Sequence, residues 1–394
     1  MNYSQYILKR KIENVFIFPF IGVGKLISKI FPLKQAFDIF FFFPFYHTGG
    51  AEKVHLQICQ TVKNKKAVIY FTKKSADKRF LKEFTDTSFL IKNISAFTDN
   101  KWLYFLNLIY RGIIAGYINS TEKPPIVFNG QCNFGYKISP WIHSSIQQIE
   151  LIHSYNSFSW IRIPFLSFIS KTIMISQLRI EDHKKQYDKI GIPQSFKKNI
   201  EWIINGVEIP ESKEKQVDKN IKILYVGRGT KEKRVHIIAQ IAKEVKHLNL
   251  PFNFYFMGDI KESISNDLPI YCNFLGNITD QNIIQNYYQE SHVLLLTSTT
   301  EGFPLVIAEA MMNKCVIAST AVGDIPYHLN NSKNLLFSDL ENEFVIIKET
   351  IDFLTYLTKH PEEIISIGNS NRLYAIEHFN ISNFNKKYQQ LLNA

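Results

Sequence analysis

Residues 297–311 read "TSTTEGFPLVIAEAM", two glutamates set around a nearly apolar run. Carboxylates are costly beside Phe303, Leu305, Val306 and Ile307 unless strong hydrogen-bond donors compensate them. The stretch follows "HVLLL" (292–296), an apolar run of strand length, and Pro304 suits the first turn of a helix, where its missing N–H costs nothing. Glu301 therefore falls in a strand-to-helix loop, and Glu309 about one and a half turns into the helix. The backbone N–H groups of that first turn, with the positive end of the helix dipole, form an anion site. Gly302 lets a ligand come close to the backbone. Glu309, between Ala308 and Ala310, needs hydroxyl or cationic partners. A vicinal diol supplies two hydroxyls to one carboxylate, and Glu301 is placed to hold hydroxyls of a second sugar unit. The competing reading of Glu309 is a helix cap or a lysine partner.

Outward from this stretch, short β-rich runs alternate with helical ones, the pattern of a parallel sheet covered by helices. The first half carries "FDIFFFFPF" (37–45), "KAVIYF" (66–71), "PIVFN" (125–129), "QQIELI" (147–152) and "TIMIS" (172–176). The second restarts with "IKILYV" (221–226), "FNFYFM" (252–257), "YCNFLG" (271–276), "HVLLL" (292–296) and "KCVIAS" (314–319). Two doubly wound α/β domains are expected, with a polar linker, "INGVEIPESKEKQVDKN" (204–220), between them. If the two face each other, the carboxyl ends of both sheets meet at an interdomain cleft, where ligands of such sheets bind.

Two further loops carry candidate chemistry. "ILYVGRGTKEKR" puts Arg228 and Lys233 after a strand and at the start of a helix, where two cations suit a pyrophosphate. A solvated basic loop is the commoner meaning of such a run taken alone. "FYHTGGAEKVHLQIC" ends a loop with Gly49 and Gly50 and opens a helix, another place where backbone meets phosphate or sugar oxygens. It has neither a dinucleotide fingerprint nor a P-loop ending.

The chain has 394 residues, 45% of them hydrophobic, enough for two cores. Cys59, Cys132, Cys272 and Cys315 are scattered, which argues against a disulfide framework or a Cys-based zinc site and fits a reducing cytoplasm. Charge is uneven: residues 1–206 hold 28 Lys and Arg against 13 Asp and Glu, a balance of +15, and the remainder is at −4. The first half therefore expects an anionic partner. Its aromatics sit in apolar runs rather than between cations, which favours a membrane surface over nucleic acid. The leader "YILKRKIENVFIFPFIGVGKLISKIF" is broken by Pro19 and closed by Lys25, too short an apolar run to span a bilayer. It reads equally as an interfacial segment or as a helix packed on its own domain.

Taken together, "GGAE" (49–52), "NGV" (205–207), "VGR" with Lys233 (226–233), "FLGNI" (274–278) and Glu301 with Glu309 resemble, in order, the family-4 glycosyltransferases of the two-domain GT-B fold. The resemblance covers residues 37 to 380, and "EGFPLVIAEAM" is its specific part. It implies a retaining, metal-independent glycosyltransferase without a cofactor, using a nucleotide-diphosphate-sugar. The sequence has no Asp-x-Asp pair for a divalent ion.

By this resemblance Glu309 binds the ribose hydroxyls, Glu301 the transferred sugar, and Arg228 and Lys233 the diphosphate. Gly49, Gly50, Gly302, Phe303 and Leu305 complete the nucleotide-sugar site, and His153 in "ELIHSYNSFSW" faces the transferred sugar. The expected division is a basic, apolar extension at 1–32, an acceptor domain at 33–203, the linker at 204–220 and a nucleotide-sugar-binding domain at 221–375. A terminal helix at 376–394 would pack back on the first domain. Arg234 stands where the family often has Gly, Asp324 follows Gly323 where a second Gly is frequent, and Tyr327 replaces a common Glu.

The acceptor implied by charge is a glycan or a lipid-linked molecule at the inner face of a bacterial membrane, in surface polysaccharide synthesis. The rivals are a nucleotide-sugar isomerase (epimerase) on the same fold, which needs a clustered acid/base pair, and a catalytically silent sugar-binding homologue.

Overall fold

The structure, a computed structural model, describes residues 1–47, 49–217, 220–265 and 268–393. The chain forms two units, Met1–Ile204 with Asn385–Ala394, and Asn205–Phe384.

The first unit holds a parallel sheet of β1 (Ile39–Phe43), β2 (Ala67–Phe71), β3 (Leu90–Asn93), β4 (Ile126–Asn129), β5 (Gln148–Ile152), β6 (Lys171–Met174) and β7 (Ile200–Trp202). Their order is β3-β2-β1-β4-β5-β6-β7. Helices cover both faces of a parallel sheet, so a central strand is apolar on consecutive residues. In β1 all five residues of "IFFFF" are buried. Phe40 and Phe42 join Tyr70 and Phe134 on one face. Phe41 meets Phe128 (5.6 Å between ring centres) and Phe89 (6.1 Å).

The leader is a helix, Tyr3–Ile30, started by an Asn2–Gln5 capping box. It belongs to the first unit and lies along the helix Tyr104–Asn119. Gly24 and Gly112 make that approach possible. A Cβ on Gly24 would sit 2.1 Å from the Ile109 carbonyl oxygen, and one on Gly112 2.3 Å from that of Ile21. Ile21, Gly24 and Ser28 are buried there, while Phe16 (74% exposed) and Phe18 (63%) stand in solvent. Among the described residues no helix is long and apolar enough to cross a membrane.

The second unit holds β8 (Ile221–Val226), β9 (Phe252–Met257), β10 (Cys272–Gly276), β11 (Val293–Leu296), β12 (Val316–Thr320) and β13 (Leu335–Phe337), parallel in the order β10-β9-β8-β11-β12-β13. Residues 205–217 of the linker lie on this unit. Arg372 Nη2 donates to the Pro210 carbonyl (2.9 Å), and Lys215 Nζ to that of Tyr288 (3.3 Å). Positions 218 and 219 fall outside the described residues. From Asn385 onward the chain belongs to the first unit, with the Tyr388 ring 6.3 Å from Phe128 and the Gln389 amide donating to the Thr61 carbonyl. Ten strands lie where the sequence places them, to within two residues at either end. β3, β7 and β13 were not anticipated, and each is a short strand at a sheet edge.

Candidate functional site

At the carboxyl end of β11 the chain enters the loop that carries Glu301 and Gly302, then the helix Leu305–Met312. Pro304 is the N-cap rather than a member of the first turn, with extended backbone (φ −72°, ψ 127°). Its fixed φ serves the cap as well as it would serve the turn.

Two loops are stitched together here. Thr297 Oγ1 donates to the carbonyls of Lys233 and Arg234, both at 3.0 Å, and Arg234 Nε returns a bond to the Thr297 carbonyl (2.7 Å). The Thr299 N–H donates to the Glu232 carbonyl (2.8 Å). As a result Lys233 Nζ lies 2.5 Å from Glu301 Oε1, with both side chains largely shielded from water. Arg228 is on the same loop but extends into solvent, 73% exposed, with Glu232 at 3.9 Å. The carbonyl of Arg228 accepts from the buried Tyr225 hydroxyl (2.9 Å), which fixes the turn rather than the guanidinium.

Arg234 explains its own departure from the family pattern. Its φ is +47°, in the left-handed region that favours glycine. The strain is offset by the bonds of its buried guanidinium to Thr297 and to the Leu340 carbonyl (2.7 Å). Behind the glutamate loop, Gly323 (φ +60°) comes so close that a Cβ would sit 2.4 Å from the Glu301 carbonyl oxygen. The Asp324 N–H donates to the Gly302 carbonyl at 2.9 Å. The loop is thus braced from two sides.

Glu309 is half-buried on its helix, and one carboxylate oxygen accepts from the Tyr288 hydroxyl at 2.8 Å. Burial, with the Glu309 charge beside it, holds the Tyr288 phenol well above its usual range, so it remains a donor. Leu305 opens the helix, half-buried. Phe303 departs from the expected role: its ring is buried against Phe379 (4.7 Å) and His328 (4.6 Å). An apolar ring gains more in that core than at a polar ligand, so the ring serves packing.

In the first unit, Gly49 is the extended N-cap of the helix Gly50–Thr61, and a Cβ on Gly50 would meet nothing within 4 Å. His153 follows β5. Its N–H donates to Gln131 Oε1 (3.0 Å), and its Nε2 lies 3.0 Å from His55 Nε2. The His55 ring stacks on Phe43 at 4.2 Å. Burial pushes His153 down to about 4 and His55 well below the usual range, so both imidazoles are neutral and one must donate. His55 Nδ1 is buried without a partner. A proton there would be an unmet donor, so it resides on Nε2 and points at His153, which then carries its own proton on Nδ1.

Sequence reading missed His55, Tyr288 and Thr297. Each acts through a side chain whose partner lies far along the chain, and no local spacing marks it.

Residues 220–351 match the family model described as "Glycosyl transferases group 1", so the chain carries a glycosyltransferase domain. The trehalose synthase of Pyrococcus horikoshii is 26% identical over 130 residues, which is 32% of this chain and 29% of that protein. The chain therefore spans under a third of that curated relative's length. Among solved structures, a glycosyltransferase from Rickettsia africae matches with TM-score 0.67 at 17% identity, over 91% of this chain and 98% of that one. HepE of Anabaena, solved with UDP and glucose, matches with TM-score 0.71 at 15% identity, over 91% and 100%. The lipopolysaccharide outer core galactosyltransferase WaaB matches with TM-score 0.62 at 17% identity, over 90% and 99%. The fold is that of the GT-B glycosyltransferases, built from two Rossmann-like units.

Proposed function

We propose that this protein transfers a sugar, with retention, from a nucleotide-diphosphate-sugar to a glycan or lipid-linked acceptor, without a metal or further cofactor. The observation that carries the reading is the Lys233–Glu301 pair: a cation and a carboxylate, 2.5 Å apart on two stitched loops, beside a helix bearing a tyrosine-held Glu309. A nucleotide-sugar has a matching order of groups, with ribose, diphosphate and sugar in series. Lys233 then meets the diphosphate where it joins the sugar, Glu301 the sugar hydroxyls and Glu309 the ribose. HepE, solved with UDP and glucose, supports a uridine diphosphate sugar as the first donor to try.

In the reaction the bond from the anomeric carbon to the diphosphate oxygen breaks, and its electron pair stays on the diphosphate. The acceptor oxygen bonds to the anomeric carbon on the same face, and its proton passes to the departing phosphate. Lys233, Arg228 and backbone N–H groups stabilise the growing charge. His153, by its resemblance, contacts the transferred sugar, and as an Nδ1–H tautomer it does so as a hydrogen-bond donor.

The acceptor side is read from the first unit's charge and surface. Phe16 and Phe18 of the leader helix are joined in solvent by Trp102 (93% exposed) and Phe105 (64%), with Phe20 and Phe105 in ring contact at 5.6 Å. Lys11, Lys29 and Lys101 flank them, exposed. A cluster of exposed aromatics with cations at its margins suits the interface of an anionic membrane. That supports a peripheral enzyme at the inner face of a bacterial membrane, acting in surface polysaccharide synthesis.

The experiment is incubation with a panel of nucleotide-sugars, reading nucleotide release with and without candidate acceptors. Acceptor-dependent release from one donor is expected. Interconversion of the sugar without release would mark the isomerase, and binding without turnover the silent homologue.

A further inference from the structure

A cavity of about 360 Å³ opens in the first unit between the start of the leader helix and the segments that follow β4 and β5. Lys9 and Arg10 line it from the leader, Asn133 and Lys137 from the helix after β4, and Trp160 from the turn after β5. It therefore lies toward the carboxyl edge of the sheet, the edge where ligands of such sheets bind.

Its charge is lopsided. Three cations line it, and Glu13 is the one carboxylate among the described lining residues. Glu13 is engaged with Arg10 at 2.8 Å. The Arg10 guanidinium is held over the Phe165 ring at 4.4 Å, and its Nε is buried without a partner. Asn133 Oδ1 is likewise buried without a partner. Burial above all, and then the charges of Arg111 and Arg10, push Lys137 down to about 8, with Glu13 acting the other way. Buried polar atoms left unmet are costly, and a site that holds one unmet donor, one unmet acceptor and more cations than carboxylates fits an anion that also carries hydroxyls. Leu8 and Ile12, exposed on the same helix, lie within a turn of these cations and give an acyl chain an apolar surface to follow.

We infer that this cavity binds a phosphate group bearing hydroxyls, the headgroup chemistry of a phospholipid or of a lipid-linked acceptor. Lys9, Lys137 and Arg10 neutralise the phosphate, and Asn133 accepts from a hydroxyl. The link to an acceptor rests on the transferase reading above; the binding site does not.

The test uses the full-length protein in calorimetry, with glycerol 3-phosphate as a soluble probe and dihexanoyl phosphatidylglycerol as a lipid one, beside dihexanoyl phosphatidylcholine. Saturable binding of an anionic phosphate is expected, weakened roughly tenfold or more in Lys9→Gln/Lys137→Gln, with melting temperature and circular dichroism unchanged. Binding of both anionic probes assigns the recognition to the phosphate itself, and binding of the lipid alone assigns it to a membrane source. Absence of saturable binding by either, or equal binding by the variant, overturns the inference. Either negative leaves sugar transfer in the second unit standing, because that activity is read separately as nucleotide release. If the double variant misfolds, Lys9→Gln alone, exposed on the helix, carries the comparison.

Discussion

Lys233 Nζ and Glu301 Oε1 are 68 residues apart in sequence and 2.5 Å apart in space, held by loops whose contacts run through Thr297, Thr299 and Arg234. An ion pair at the meeting point of two loops sets where a cation and a carboxylate can address neighbouring parts of one ligand. On this account the ligand's sugar and diphosphate meet there.

Tyr288→Phe tests the placement of Glu309. The phenol is buried and its bond to the carboxylate is 2.8 Å. Losing a hydrogen bond to a charged group costs about 1.5–3 kcal/mol, so nucleotide-sugar affinity should fall roughly tenfold or more with little change in turnover at saturation. Calorimetry with donor checks this, and unchanged affinity would separate Glu309 from the ribose.

For His55 the expected outcome is a tautomer effect. His55→Leu removes the donor to His153 Nε2 and should let nitrogen-15 spectra show His153 in both neutral forms, with lowered turnover. His55→Gln restores an N–H in the same place and should recover much of both. A single unaltered His153 tautomer in the leucine variant would show that His55 only packs.

Acid should destabilise the fold in a defined window. Burial pushes His153, His183 and His328 down to about 4 from 6.5, and His55 well below 6.5. These groups stay neutral in the folded chain, so their stabilising contribution is complete above about pH 6.5 and is lost as pH falls toward 4. Thermal melts between pH 7.5 and 4 should show a falling midpoint below about 6.5, and a flat profile would contradict neutral buried imidazoles.

Membrane binding should depend on both halves of the exposed aromatic surface. Replacing Phe16, Phe18 and Trp102 together by Ser should abolish sedimentation with anionic vesicles, and raising salt should weaken it through screening. Since all three side chains are more than half exposed, folding should be unaffected, which circular dichroism can verify. Equal binding to neutral vesicles at any salt would remove the electrostatic part.

The central strands were legible in the sequence because strands buried on both faces must be apolar throughout, as in "IFFFF" and "VLLL". The edges were not. "LIKN" in β3 and "IEW" in β7 have one neighbour each, so they bear less apolar burial and carry charge. The candidate site residues stood out in the sequence where a cation or carboxylate fell in a loop after a strand, as at Lys233 and Glu301, or on an otherwise apolar helix, as at Glu309. Its supports, Tyr288, His55 and Thr297, were invisible because their roles exist only once distant segments meet. Phe303 shows the converse, a residue inside the motif whose ring serves the core.

The most direct measurement is turnover of nucleotide-sugar-dependent transfer by Lys233→Ala at saturating donor, in protein shown by circular dichroism to be folded. Charge grows on the diphosphate as the glycosidic bond breaks, so the account predicts a fall on the order of a hundredfold. Turnover equal to that of the unaltered chain would contradict it and reduce the Lys233–Glu301 pair to a structural contact.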